Sequence, residues 1–162
     1  MKKSTVAKCV TAALAFAFAA SYVSAAPHIG KEYRLKKVVQ VEGRQGIAAD
    51  DKYFYVSDTA GLYKYDRNWK LVKKRVRTKT DGLFPHPELA NHFGDIDVHD
   101  GKIYTGNEHF NLGRGENICV SIYDAETLKW IEDIPWSAES GQVEVSGVAV
   151  DRERNLVWLS DW

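Results

Sequence analysis

"GIAADDKYFYVSD", Gly46 to Asp58, decides the fold, because closely similar segments return as "DIDVHDGKIYTGN" from Asp95 and "GVAVDRERNLVWLSD" from Gly147. Each opens with apolar residues set against small ones, turns through Asp-rich residues, and runs on through alternating aromatic and β-branched residues to a closing Asp or Asn. Alternation with period two is the mark of a strand, and "DDK" and "HDGK" are tight hairpin turns. Each copy therefore reads as two antiparallel strands. The second copy follows the first at an offset of 49 residues, and the third begins 52 residues after the second.

The segments that follow complete a larger unit. "GLYKYD" ending at Asp66 matches "VSIYD" ending at Asp124, and each leads into another alternating stretch, "WKLVKKRVR" or "LKWIEDIPW". One unit is thus four short strands: an inner one (A), an aromatic one (B), a Tyr-Asp strand (C) and a charged outer one (D). The small residues of A suit an innermost strand. Lys70, Lys73, Lys74, Arg75 and Arg77 suit an exposed edge, where charge discourages pairing with other edges. No helical period is sustained beyond a turn or two. The chain is expected to be all-β, and a four-stranded unit of roughly 40 to 50 residues is the signature of a β-propeller blade.

"GIAADDKYFYVSD" and "GVAVDRERNLVWLSD" resemble the repeat of the NHL, YWTD and gluconolactonase-like propellers over Lys31 to the end of the chain. The resemblance implies six-bladed architecture and a superfamily of hydrolases, lyase-like enzymes and binding proteins. The chain holds two units and the first two strands of a third, so an incomplete propeller of about two and a half blades is expected: a lone outer strand at 30–43, blades at 44–78 and 92–136, and a half-blade at 145–162. Six blades would need about 270 residues at this repeat length. The expectation is the leading part of a larger propeller, with a short chain closing its ring from several copies as the alternative, and open strand edges prone to self-association.

The amino terminus bears on location. Lys2, Lys3 and Lys8 flank the run "VTAALAFAFAASYV", which ends in "SAAP". This reads as a secretory signal peptide over 1–26, with cleavage expected after Ala25 or Ala26, and it predicts a periplasmic or secreted protein. Cys9 follows Lys8 and lies before the apolar run, so no lipid anchor is expected. The exported chain keeps Cys119 alone and forms no internal disulfide. Cys119 reads as a buried small residue, with a reactive or intermolecular thiol as the alternative. The leader takes three of the 22 basic residues, leaving 19 against 22 acidic ones. That near-balance carries no footprint for nucleic acid or an anionic membrane surface.

Two enlarged loops in the second unit are the expected functional face: "TKTDGLFPHPELANHFG", Thr78 to Gly94, between D and A, and "GNEHFNLGRGEN", Gly106 to Asn117, between B and C. Long loops without secondary structure are more often functional than short ones. They gather His86, His92, Asn107, Glu108, His109 and Arg114, with Phe84, Phe93 and Phe110 as apolar walls. Asp95 and Asp97 join them, standing on one side of strand A where the other units have Gly46 with Ala48 and Gly147 with Ala149. Buried carboxylates need partners. These two either bond neighbouring backbone groups or Arg44, or line the channel as a ligand site. Asp58, Asn107 and Asp161 read as turn residues closing their B strands, His99 as a solvated turn residue, and Trp69, Trp130, Trp136 and Trp158 as packing between blades.

Asp97, Glu108 and His109 are candidate metal ligands, since imidazole and carboxylate suit zinc and similar ions. Similarity to the gluconolactonases implies a cation held partly by a Glu before the first strand A and an Asn before a later one; the matching positions here are Gln45 and Ser146. The charge that holds a hard cation is missing there. The preferred reading is therefore an exported binding or scaffold module for a small molecule, sugar or protein, with no certain cofactor. The alternatives are a metal-dependent lactonase-like hydrolase and an inactive remnant of a larger propeller, so the enzymatic question stays open.

Overall fold

Ten strands and one short 3-10 turn make up the fold seen in a computed structural model, which describes residues 34–78, 82–111 and 114–161. The expected signal peptide (1–26) and His28 lie outside the described residues. Among the described residues no helix is long and apolar enough to cross a membrane.

β1 (Gly46–Ala49), β2 (Tyr53–Asp58), β3 (Gly61–Asp66) and β4 (Leu71–Val76) form one antiparallel sheet in chain order. β5 (His92–His99), β6 (Lys102–Asn111), β7 (Arg114–Asp124) and β8 (Trp130–Pro135) form a second sheet of the same order. β9 (Gly147–Asp151) and β10 (Leu156–Ser160) pair as a two-stranded sheet. The all-β, four-stranded antiparallel architecture expected from the alternation is present. The turns follow their chemistry: Asp100 and Gly101 both take positive φ between β5 and β6, as a two-residue hairpin requires, and the Asp50 carboxylate accepts the Lys52 and Tyr53 amides after β1.

The core lies between the two complete sheets. Tyr55 and Leu62 of the first meet Phe93, Ile96, Ile103 and Tyr123 of the second, with Leu83, Phe84 and Ala90 of the connecting segment closing the space. Each such fully buried large side chain is worth about 1.5–3 kcal/mol of transfer free energy. A smaller cluster of Val56, Tyr63 and Tyr65 covers the other face of the first sheet, where Phe54 and Trp69 stack with ring centroids 4.0 Å apart.

The first strands of the three sheets stand side by side. β5 is flanked by β1 and by β9 with no ladder between them. The approach is close: a Cβ on Gly94 would lie 2.0 Å from the Val145 carbonyl oxygen, so only glycine fits there. Ile47 is 58% exposed whereas the matching Ile96 and Val148 are buried, because β1 has a neighbouring first strand on one side only among the described residues.

Residues 34–43 form no strand; the lone outer strand expected at 30–43 has no open blade to complete among the described residues, since β3 and β7 already have β4 and β8. Two further expectations are corrected. The expected Gly106–Asn117 loop is a hairpin, since β6 and β7 continue as a two-stranded ribbon to Asn111 and from Arg114. Phe84 and Phe93 are core residues, 4% and 0% exposed, with ring centroids 4.5 Å apart.

Candidate functional site

Ribbon extension moves Asn107 from the end of a strand to its middle. The residue is buried, pairs with Cys119 on β7, and adjoins an irregularity in register between Asn107 and His109. Its surroundings are a chain of polar side chains on β7 and β8. Asp133 Oδ1 accepts from Ser121 Oγ at 2.6 Å and from Trp130 Nε1 at 2.9 Å. Having given its proton to Asp133, the Ser121 hydroxyl can only accept, so Asn107 must present its amide N–H, at 2.8 Å. That fixes the amide: Asn107 Oδ1 faces away from Ser121, is buried, and has no hydrogen-bond partner.

Beside this chain lies a cavity of about 560 Å³, within the ordinary range of small-molecule sites. Asn107, Cys119 and Asp133 line it from the sheet, His86 from the connecting segment, and Trp136 and Gln142 from the segment after β8. Cys119 is the small side chain that β7 presents to the cavity wall, with Ser121 next along the same side of the strand. Burial first, and then the Asp133 charge, push the Cys119 thiol up to about 11, so it is a packing residue rather than a reactive thiol. The Tyr123 hydroxyl donates to the Leu83 carbonyl at 2.7 Å and anchors the connecting segment.

A second constellation sits nearby. The Glu108 carboxylate is fully buried and its Oε1 lies 2.7 Å from His92 Nδ1. A carboxylate only accepts, so Nδ1 carries the proton and His92 Nε2 accepts from Gln45 Nε2 at 3.0 Å; the same Gln45 amide donates to Thr59 Oγ1 at 3.3 Å. Glu108 Oε2 has no partner and occupies the space a Cβ on Gly115 would fill, 1.9 Å away. Burial, then the Glu108 and Asp161 charges, raise the Glu144 carboxyl above its ordinary value. Asp161 Oδ2 accepts the Val143 amide at 2.8 Å.

The other expected site residues divide as follows. His86 and Asn107 share the cavity; His92 and Glu108 share the buried pair. Asp95 and Asp97 take the first of their two alternatives: Asp97 accepts the Val98 and Val150 amides at 2.7 and 2.8 Å, and Asp95 accepts the Ile96 and Val148 amides. They tie β5 to β9. His109 is half-buried on β6, and the Arg114 side chain lies outside the described residues. Asp97, Glu108 and His109 are not brought together, because neighbouring residues on one strand point to opposite faces and both Asp97 oxygens are filled. Among the described residues no three His, Cys, Asp or Glu stand in a metal-binding arrangement. Gln45 donates its amide N–H to His92 and Thr59, and since neither Gln45 nor Ser146 carries a charge, the residues present do not supply the anionic ligand that the implied cation needs.

Asp133 and Trp136 were missed in the sequence. Their signal was an acidic residue amid the apolar alternation of "WIEDIPW", at a position facing Cys119 and Ser121. Trp158, expected to pack, is 57% exposed. Neither a comparison with protein-family models nor one with curated proteins gives a match.

Proposed function

We propose that the chain is an exported β-propeller portion acting as a binding module, with its ligand site in the cavity between β6–β8 and the segments that cover them. The observation that carries this is the cavity itself, about 560 Å³ and lined by Asn107, Cys119 and Asp133 from the sheet and by His86, Trp136 and Gln142 from the covering segments, a few polar groups beside apolar ones as in small-molecule sites. The side-by-side β1, β5 and β9, each opening an antiparallel sheet, support the propeller reading. Lys2, Lys3, Lys8, the apolar run and "SAAP" support export.

The site is tested by Asn107→Leu. This variant is expected to keep its thermal stability within a few degrees while losing ligand-induced stabilisation. A variant stabilised by ligand as strongly as the parent overturns the site. Export is checked by mass analysis of protein from a periplasmic extract, which should begin at residue 26 or 27. The propeller reading fails if an experimental structure shows β1, β5 and β9 not radiating from one axis. The lactonase-like alternative draws no support from the side chains, since its metal-binding positions carry Gln45 and Ser146.

A further inference from the structure

We infer that the chain associates with a second copy of itself, head to tail, the open side of β1 in one copy seated on the open side of β9–β10 in the other. The contact already exists once within the chain. Ile96 of β5 is buried in the core cluster that holds Tyr55, with Ala48 packed against it. Ala48 and Tyr55 are cross-strand partners on β1 and β2, so they present one face to the neighbouring sheet. Ala149 and Trp158 are cross-strand partners on β9 and β10 in the same way, at the matching places of the repeat. Both are exposed, and among the described residues β9 has a neighbouring first strand, β5, on its other flank only.

The complementary side is carried by the same chain. Ile47 matches Ile96 in the repeat and is exposed. Val56 and Tyr63 stand in register with it on one face of the first sheet, but they are buried, in a cluster closed by Val41, Phe54 and Trp69. Only the β1 end of that face is open, which suits a two-stranded sheet such as β9–β10 rather than a four-stranded one. Ile47 of a second copy would then meet Ala149 and Trp158 as Ile96 meets Ala48 and Tyr55. Glycine marks the approach. Gly46 lies so near β5 that a Cβ would stand 2.7 Å from Asp95 Cα, whereas a Cβ on the matching Gly147 would meet only the Ser160 side chain among the described residues. Gly147 thus leaves room for the backbone of another first strand.

The two faces differ, so the interface is heterologous, and such an interface closes into a ring or grows without limit. Each copy brings three first strands, β1, β5 and β9, one to each sheet. Two copies bring six, the number in the six-bladed ring that the repeat resembles; the count of two rests on the propeller reading. Trp158 is the anchor of the contact, a large aromatic side chain at its centre.

Sedimentation velocity of the exported chain, from about 1 to 100 μM, is expected to show a species of two copies. Ile47→Asp and Trp158→Asp each change a residue that is more than half exposed. Both variants should keep the parent's circular dichroism while association weakens at least about tenfold. Should Trp158→Asp fail to fold, Ala149→Glu on the same face takes its place. Mixing the two variants tells this arrangement from any other. Each keeps the face that the other lacks, so the mixture is expected to pair through one intact interface although neither variant pairs alone. A parent monomeric throughout the range, variants that associate like the parent, or a mixture that stays monomeric would overturn the assignment. Growth beyond two copies, with the mixture still pairing, would overturn the closed ring and the propeller reading and uphold the two faces as the contact.

Discussion

Asp95 shows how one side chain carries a structural role at an electrostatic cost. Burial raises its carboxyl above the ordinary value of 3.8; the Ile96 and Val148 amides pull it down, and the Asp97 charge adds to the rise. A carboxyl raised on folding binds its proton more readily in the folded state, so stability increases as pH falls from the folded value towards the unfolded one, and the full cost is present above that window. Asp95→Asn keeps an oxygen for the amides without the charge. It is expected to be more stable than the parent at neutral pH, the gain shrinking as pH approaches about 4. Urea unfolding across that range would show it, and a gain independent of pH would contradict the electrostatic origin. Asp50, Asp124 and Asp151 behave oppositely. At Asp50 burial acts upward, but the Lys52 and Tyr53 amides and the Tyr55 hydroxyl prevail; at Asp124 the Thr127 hydroxyl leads, and at Asp151 the Arg154 guanidinium. Their stabilisation is present above 3.8 and lost as pH falls through their lowered values.

The segment between β4 and β5 reads as a loop and behaves as part of the core. Leu83 and Phe84 are 1% and 4% exposed, and the Tyr123 hydroxyl holds the Leu83 carbonyl from β7. Tyr123→Phe keeps the ring and leaves that carbonyl unpaired in a buried place, a loss of about 1–3 kcal/mol. Chemical denaturation should report it, accompanied by faster amide exchange in residues 82–91 than elsewhere. Unchanged exchange there would show that apolar packing alone holds the segment. The same segment supplies His86 to the cavity wall, so loosening it would also disturb the proposed ligand site.

The two complete sheets share the core, whereas β9–β10 is held to β5 partly by polar contacts that run sideways. Beside the buried Val148 and the Leu159 side chain near Gly106, β9–β10 is tied to the rest through Asp95 and Asp97 to the Val148 and Val150 amides, and through the Arg152 guanidinium to the Val98 carbonyl at 3.3 Å. Hydrogen bonds to charged groups are worth about 1.5–3 kcal/mol. Asp97→Ala should therefore speed amide exchange in Gly147–Asp151 and Leu156–Ser160 about tenfold or more, with β1–β4 unchanged. A uniform change across all three sheets would mean that they open as one unit.

Local order was legible because a strand advertises itself. Side chains alternate, so the A–B segments, the Tyr-Asp strands and the charged β4 announced antiparallel four-stranded sheets from residues close in the chain. The long turn after Asn107 misread for the same reason: "HFNLGRGE" carries glycines and polar residues that suit either a loop or a solvated ribbon, and only pairing with β7 separates them. The cavity was hidden because it depends on residues far apart meeting, Asn107 with Ser121, Asp133 and Trp136, and a buried unpartnered oxygen exists only relative to what surrounds it. Asp95 and Asp97 were recognisable as needing partners from their place in an inner strand. That those partners are backbone amides of β9, rather than Arg44 or a ligand, follows from the packing of three inner strands, which no single stretch of sequence contains.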